Sequence, residues 1–349
     1  MAAQEKNFLT YNQQMKKLRN DKKISCGNST DTEKTISVGS TKDKEHLVRM
    51  GYFNIINGYK DPFINAVDSC GNHIYYPGTS LEQIYHLKKF DEHLRLFLLG
   101  YIAQVEEEVR TLTAYKFDQC NDNGKTSWYE PDAYDSKRSL QNRIDAISTA
   151  YRELSTSRLE YVQFYMANHS TIPTWIMMKA IYFSTFIKIL QNSKPQVTHS
   201  ICMLYDMTDS AGMPNVKLLV GSLHWMRKVR NSCAHNERVY SIGPDHNSKG
   251  YTIGRIKEKY FAKMRQSYLK EPDKRLMDLL VYFKYFLPVT EYAAFIKDLK
   301  RQLEKLQTQV PGNAFDNVRA KMGIKSLNDL DDLDMLPKAK IKYNTFDSL

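Results

Sequence analysis

Apolar residues return every third or fourth position along most of this chain, the spacing of helices that each bury one face. The clearest run begins at Thr79, where Leu81, Ile84, Leu87, Phe90, Leu94, Leu98, Ile102, Val105 and Val109 predict one long helix. Thr79 or Ser80 serves as its N-cap, with Gln83 placed to complete a capping box. Asp91 and Arg95 stand four apart and are expected to pair across the helix surface. Glu106 to Glu108 read as a solvated face.

Ahead of this helix, the pattern predicts one helix ending near Gly51 and a short one ending near Gly58. Asn57-Gly58 and Asp61-Pro62 are turn chemistry. Phe8 to Leu18 predicts a short helix within a flexible, basic segment covering 1–41. His73 to Tyr76, set between Gly71 and Pro77, leaves room for a small hairpin at most.

Beyond a loop at Asn121–Pro131, Ser136 to Asn168 predicts one or two helices. Pro173 stands near the first turn of the next. Met177, Met178, Ile181, Phe183, Phe186, Ile187 and Leu190 cover most of its circumference, so a single central core helix is expected there. A short helix follows over Val197–Leu204. Later helices are expected over about 274–287 and 288–309, and Pro311-Gly312 closes the set. The expectation is an all-α bundle with added N- and C-terminal helices, its domain covering 42–310 and its tail 311–349.

Leu219 to Tyr240 reads as one amphipathic helix. Leu223, Met226, Val229 and Cys233 fall on its apolar arc, and Arg227, Asn231, His235 and Arg238 fall together on a polar one. Arg230 departs from the pattern, because its helical angle lies within the apolar arc. A guanidinium does not lose its proton and is costly to bury unpaired. Either it pairs with a carboxylate or snorkels outward, or its charge serves a ligand.

With 349 residues, 42% hydrophobic and 12% aromatic, the chain has material for a real core. Met1 to Asn20 is polar and basic, so no secretory signal is expected. Trp175–Leu190 is interrupted by Lys179 and Lys188 and is too short to span a bilayer. The five cysteines are scattered without a C-x-x-C pair, which argues against a disulfide framework and for a reducing cytoplasm. His224, Cys233 and His235 lack a fourth ligand for zinc. Gly124-Lys125-Thr126 lacks the first glycine of a P-loop, with Gln119 in its place. No metal or other cofactor is expected.

The net charge of +11 is unevenly spread: His224 to Arg275 holds 13 Lys/Arg against 5 Asp/Glu. Tyr240, Tyr251, Tyr260, Phe261 and Tyr268 are interleaved with those charges. Cations neutralise phosphates and aromatic faces stack bases, a composition suited to single-stranded RNA. Lys257, Lys259 and Lys263, with Arg227 and Arg238, are the expected RNA contacts.

Arg230 and His235, four residues intervening and with Asn231 directly after the arginine, resemble the motif of the HEPN superfamily. That superfamily contains metal-independent ribonucleases and nucleotide-binding relatives. The run Arg-Asn-Ser-Cys-Ala-His-Asn-Glu-Arg over 230–238, after Trp225-Met226, is similar to the Abi-type (abortive infection) branch. Gly51-Tyr52 with Gly58-Tyr59, the stretches Phe90 to Arg95 and Val105 to Arg110, Pro173-x-Trp175 and Met322-Gly323-Ile324 extend the resemblance over roughly 42–335. It implies a HEPN-like bundle and a toxin-like endoribonuclease of bacterial antiphage defence. It also implies a composite site shared by a homodimer, and an RNA or protein antitoxin as a further partner.

Elementary chemistry fits that implication. RNA is cut without metal when its 2′-OH attacks the adjacent phosphate, which needs a base, an acid and a cation. An imidazole titrates near neutral pH and serves as base or acid. A guanidinium presents a permanently charged fork to phosphate oxygens. Arg230, Asn231 and His235 are the expected catalytic residues. Two other readings use the same residues: an RNA-binding module that does not cut, and a protein that binds nucleotides or a second protein.

Overall fold

Ser80 and Gln83 close a reciprocal capping box: the Gln83 N–H donates to Ser80 Oγ at 3.3 Å, and the Ser80 N–H to Gln83 Oε1 at 3.0 Å. From it runs the longest helix, α3 (Leu81–Cys120), 40 residues and so about 60 Å in length. The structure, a computed structural model, describes residues 8–26, 40–209, 211–243, 275–338 and 340–349. Its chain divides into two compact units: Met1–Arg95, Arg238–Ser241 and Lys297–Leu327 in one, Leu96–Glu237, Ile242–Ile296 and Asn328–Leu349 in the other. The fold is all-α apart from one small hairpin.

In the first unit, α1 (Tyr11–Asn20) starts at a capping box between Thr10 and Gln13 and buries Met15 and Leu18. It packs against α2 (Ser40–Met50), which stops where Gly51 takes φ +76°. A π-type turn over Phe53–Asn57 and a short 3₁₀ turn over Asp61–Phe63 follow. They lead into β1 (Ile64–Val67) and β2 (His73–Tyr75), paired antiparallel with a register shift between Ile64 and Ala66. Asp68 fixes their turn by accepting from the Cys70 and Asn72 N–H groups at 2.9 and 2.7 Å.

Asp91 and Arg95 pair at 2.7 Å as their spacing predicts, but within the core and not on the surface. The Asp91 carboxylate, wholly buried, also accepts from the Tyr59 hydroxyl at 2.7 Å and from the Tyr240 and Val239 N–H groups at 2.8 and 3.1 Å. Burial pushes its carboxyl pKa up, and those donors pull against that shift.

The second unit holds α4 (Leu140–Ser155), α5 (Glu160–Asn168), α6 (Thr174–Ala180), α7 (Phe183–Asn192), α8 (Pro195–Leu204), α9 (Val216–Ala234) and α10 (Leu276–Phe286). It also takes the first part of α11 (Val289–Gln307), whose remainder belongs to the first unit with α12 (Gly312–Met322). The second unit ends with α13 (Asn328–Met335) and a 3₁₀ turn over Tyr343–Ser348. Helix α9 packs on α7, α8 and α10. Every residue of α10 is buried, the mark of a helix surrounded by others. Phe97, Tyr101, Phe283 and Phe295 form a ring cluster with centroids 5.0 to 6.2 Å apart.

The single core helix expected over Met177–Leu190 is two helices. Ile181 and Tyr182 are extended, and Glu153 of α4 occupies the break. Its carboxylate accepts from the Tyr182 N–H at 2.8 Å and the Thr185 hydroxyl at 2.6 Å, satisfying the N-terminus of α7. Among the described residues, no helix is long and apolar enough to cross a membrane.

Candidate functional site

Helix α9 starts where Asn215 Oδ1 accepts from the Leu218 N–H at 3.0 Å. Leu219, Leu223, Met226, Val229 and Cys233 form its buried arc, as expected. Its end differs from the sequence reading, which carries the helix on to Tyr240. His235 is the C-cap, and Asn236 takes the left-handed conformation at φ +56°. The Asn236 N–H donates to Cys233 O at 3.3 Å and the Glu237 N–H to Ser232 O at 2.9 Å. This is a Schellman ending with asparagine in place of the more usual glycine. The Ser232 hydroxyl donates to Glu237 at 2.6 Å and ties the turn back to the helix.

The early stop decides which motif side chains share a surface. Arg230 Nη1 donates to Asn231 Oδ1 at 3.2 Å, and His235 is exposed at the open end of the helix. Arg230 keeps its angular place on the apolar arc and snorkels outward: its side chain is 42% exposed, with Nε 3.9 Å from Glu106 of α3. Arg227 is half-buried, its Nε enclosed without a hydrogen-bond partner among the described residues. Arg238 does not extend the helical polar arc, because it follows the left-handed turn. Its Nη1 donates to Asp61 Oδ2 at 2.9 Å and to Gly58 O at 2.8 Å. Lys257, Lys259 and Lys263 lie outside the described residues.

Two further residues, Glu106 and Arg110, belong to this site; the sequence presents the first as ordinary helix surface and the second only as the end of the Val105–Arg110 run that resembles the family, with no role for either. Arg110, one turn after Glu106 on α3, donates to Glu106 Oε1 from Nη2 at 2.7 Å and from Nε at 3.1 Å. It also donates to the Met178 carbonyl and lies over the Phe186 ring, 4.9 Å from its centroid. Burial lowers the Arg110 pKa, Glu106 raises it, and the charge of Arg230 lowers it further. Glu108 is likewise engaged, accepting from the Tyr205 hydroxyl at 2.6 Å and the Tyr343 hydroxyl at 2.8 Å. Only Glu107 of the three acids is exposed. The i,i+4 spacing of Glu106 and Arg110 is visible in the sequence; the approach of Arg230, from a distant helix, is not.

Glu106 and Arg110 also line a groove of about 860 Å³ between α3 and α6, with Glu107, Asp118, Trp175 and Lys179. The site therefore combines a surface guanidinium and amide, an exposed imidazole, and an adjoining cleft with mixed charge.

The model of the Abi-like protein family matches residues 45–241, more than half of the chain and the whole of the Arg230–His235 region. Nothing among the curated proteins or the solved structures matches it. The chain belongs to the Abi-like protein family, and that membership supports an abortive-infection role.

Proposed function

We propose that this Abi-like protein is a metal-independent RNA endonuclease acting as the toxin of an antiphage abortive-infection system. The reading is supported above all by one arrangement: the hydrogen-bonded Arg230–Asn231 pair at the surface, with exposed His235 one turn later at the helix end. In this reading a phosphate bound at Arg230 and Asn231 has the His235 imidazole supplied at the end of the same helix.

In the reaction His235 accepts the proton of the 2′-OH, and the 2′-oxygen bonds to phosphorus. The bond from phosphorus to the 5′-oxygen breaks, and that oxygen leaves with a proton. The products are a 2′,3′-cyclic phosphate and a 5′-OH. Arg230 holds the charge that builds on the phosphoryl oxygens, as a planar donor fork does well. Asn231 orients the guanidinium. One chain supplies one such imidazole, whereas base and acid are two roles. A symmetric homodimer that brings two copies of α9 together supplies both. An RNA or protein antitoxin that covers this face would silence it.

Purified protein incubated with mixed RNAs in EDTA, beside His235→Ala, tests the reading. Cutting by the wild type alone is the expected result. Binding without cutting by either would make the protein a non-catalytic RNA binder. Light scattering at micromolar concentration tests the dimer; a strict monomer that still cuts would overturn the shared site.

A further inference from the structure

The groove next to Glu106 carries side chains for which the cleavage chemistry has no use. Trp175 of α6 is 57% exposed, whereas the other two tryptophans, Trp128 and Trp225, are buried. Leaving an indole in water forgoes the largest apolar burial any side chain offers. Here the indole lines a cleft large enough for a mononucleotide. Asp118 of α3 lines the same cleft.

The α3 wall is braced by the end of the chain. The Tyr115 hydroxyl donates to the Asp347 carboxylate, and Gln119 Nε2 donates to Asp347 O and Oδ1, each at 3.2 Å. The Phe346 ring packs 6.1 Å from that of Tyr115. Tyr115 and Gln119 both line the cleft, so the strap holds part of its wall in place.

This composition selects its ligand. Glu107 and Asp118 line the cleft beside Arg110 and Lys179, and Glu106 is already held by Arg110, so Glu107 and Asp118 are the carboxylates left to meet N–H donors. Aromatic faces at Trp175 and Tyr115 suit a flat ring. A nucleobase has such a ring, with donors on its edge. Guanine sets N1–H and N2–H side by side, matching the two oxygens of one carboxylate. Adenine and cytosine offer one amino group. Uracil offers one N–H flanked by two carbonyl oxygens that a carboxylate repels.

We propose that the groove between α3 and α6 is a nucleobase site selective for guanine, stacked on Trp175 and held at its edge by Asp118. Burial pushes the Asp118 carboxyl up, with the Thr174 hydroxyl as the hydrogen bond that opposes the shift, so further donors would stabilise its ionised form. The inference rests on the RNA-cleavage reading for the source of the base, a strand whose phosphate lies at Arg230 beyond Glu106.

The test is calorimetric titration of the full-length protein with GMP and UMP, for wild type, Trp175→Ala and Asp118→Asn. GMP should bind roughly tenfold more tightly than UMP, and each substitution should weaken GMP by roughly tenfold. Trp175→Ala alters an exposed side chain, so it reports on binding even if Asp118→Asn folds poorly. Equal affinity for both nucleotides, no GMP binding at millimolar concentration, or GMP binding unchanged in Trp175→Ala would overturn the proposal. Oligouridine with one central guanosine, bound to His235→Ala protein, identifies the source. Tighter binding than to plain oligouridine assigns the site to the strand, and equal binding alongside GMP selectivity assigns it to a free nucleotide. RNA cutting without GMP selectivity would sink this inference alone. GMP selectivity without cutting would sustain it and sink the nuclease reading.

Discussion

Arg230 Nε lies 3.9 Å from Oε2 of Glu106, while Arg110 holds the other oxygen of that carboxylate at 2.7 Å. One acid thus faces two guanidinium groups, one buried and one at the surface. The two contacts are unequal. Arg110 reaches Glu106 through two nitrogens and is shielded from water; Arg230 is longer and part-exposed, the kind of pair worth about 1 kcal/mol or less. A phosphate can therefore displace Arg230 from Glu106 at small cost, while Arg110 keeps the carboxylate in place.

Glu106→Gln should destabilise the fold by about 3 kcal/mol or more, because it leaves the Arg110 charge buried without a counter-ion. Urea unfolding measures this. An unchanged midpoint would mean that the Met178 carbonyl alone satisfies Arg110.

Asp91→Ala should cost about 3–5 kcal/mol, since the buried Arg95 loses its carboxylate and the Tyr59, Val239 and Tyr240 donors lose their acceptor. Tyr59→Phe removes one of those donors and should cost about 1 kcal/mol. Equal losses for the two variants in denaturant titrations would contradict this ordering.

These two carboxylates mark what the sequence makes legible. The spacing of Asp91 to Arg95 and of Glu106 to Arg110 gives each a partner within α3. Their burial comes from Tyr59, from residues 239 and 240, and from Met178, and local periodicity carries no information about such distant groups. Ser80 with Gln83 is legible because a capping box is wholly local. The end of α9 is not, because Asn236 is an unremarkable residue until it adopts a positive φ. The gap between α6 and α7 is hidden because Glu153, which fills it, sits in another helix. Arg230, Asn231 and His235 are readable as a group through their residue types and spacing; the groove beside Glu106 is not, as it exists only once α3 and α6 pack.

Stability should rise with pH between about 7 and 10 through the buried Lys284 and the half-buried Lys338. Burial lowers Lys284 from 10.5 to about 8 and Lys338 from 10.5 to about 7, with Glu108 and Glu291 near Lys338 opposing the shift. Lys338 Nζ is enclosed without a hydrogen-bond partner among the described residues. Below pH 7 both states hold their protons and the penalty is fully present. Above it the folded state releases protons first, so the unfolded chain binds more and stability climbs. Lys338→Met should stabilise the protein at pH 7 and flatten the climb. Thermal melts at pH 6.5 and 9 check this, and a slope unchanged by the substitution would contradict it.

Charge reversal at Lys257, Lys259 and Lys263 should weaken RNA binding without regard to sequence. It should also flatten the salt dependence, by about 0.7 in log–log slope for each phosphate of a single strand that is no longer neutralised. Affinity measured from low to high salt decides. An unaltered slope would make the basic run around Lys257, Lys259 and Lys263 a solvated surface.

The most direct test of the central claim is the chemistry of the 3′ ends left on RNA after incubation in EDTA. Wild type should leave 2′,3′-cyclic phosphates. His235→Ala should leave none while binding RNA about as well, because it removes a proton-transfer group and little else. Arg230→Lys should also leave none, since a point charge does not reproduce a planar donor fork. Ends bearing a 3′-OH, cutting that persists in His235→Ala, or cutting lost to chelation and restored by magnesium would contradict the account.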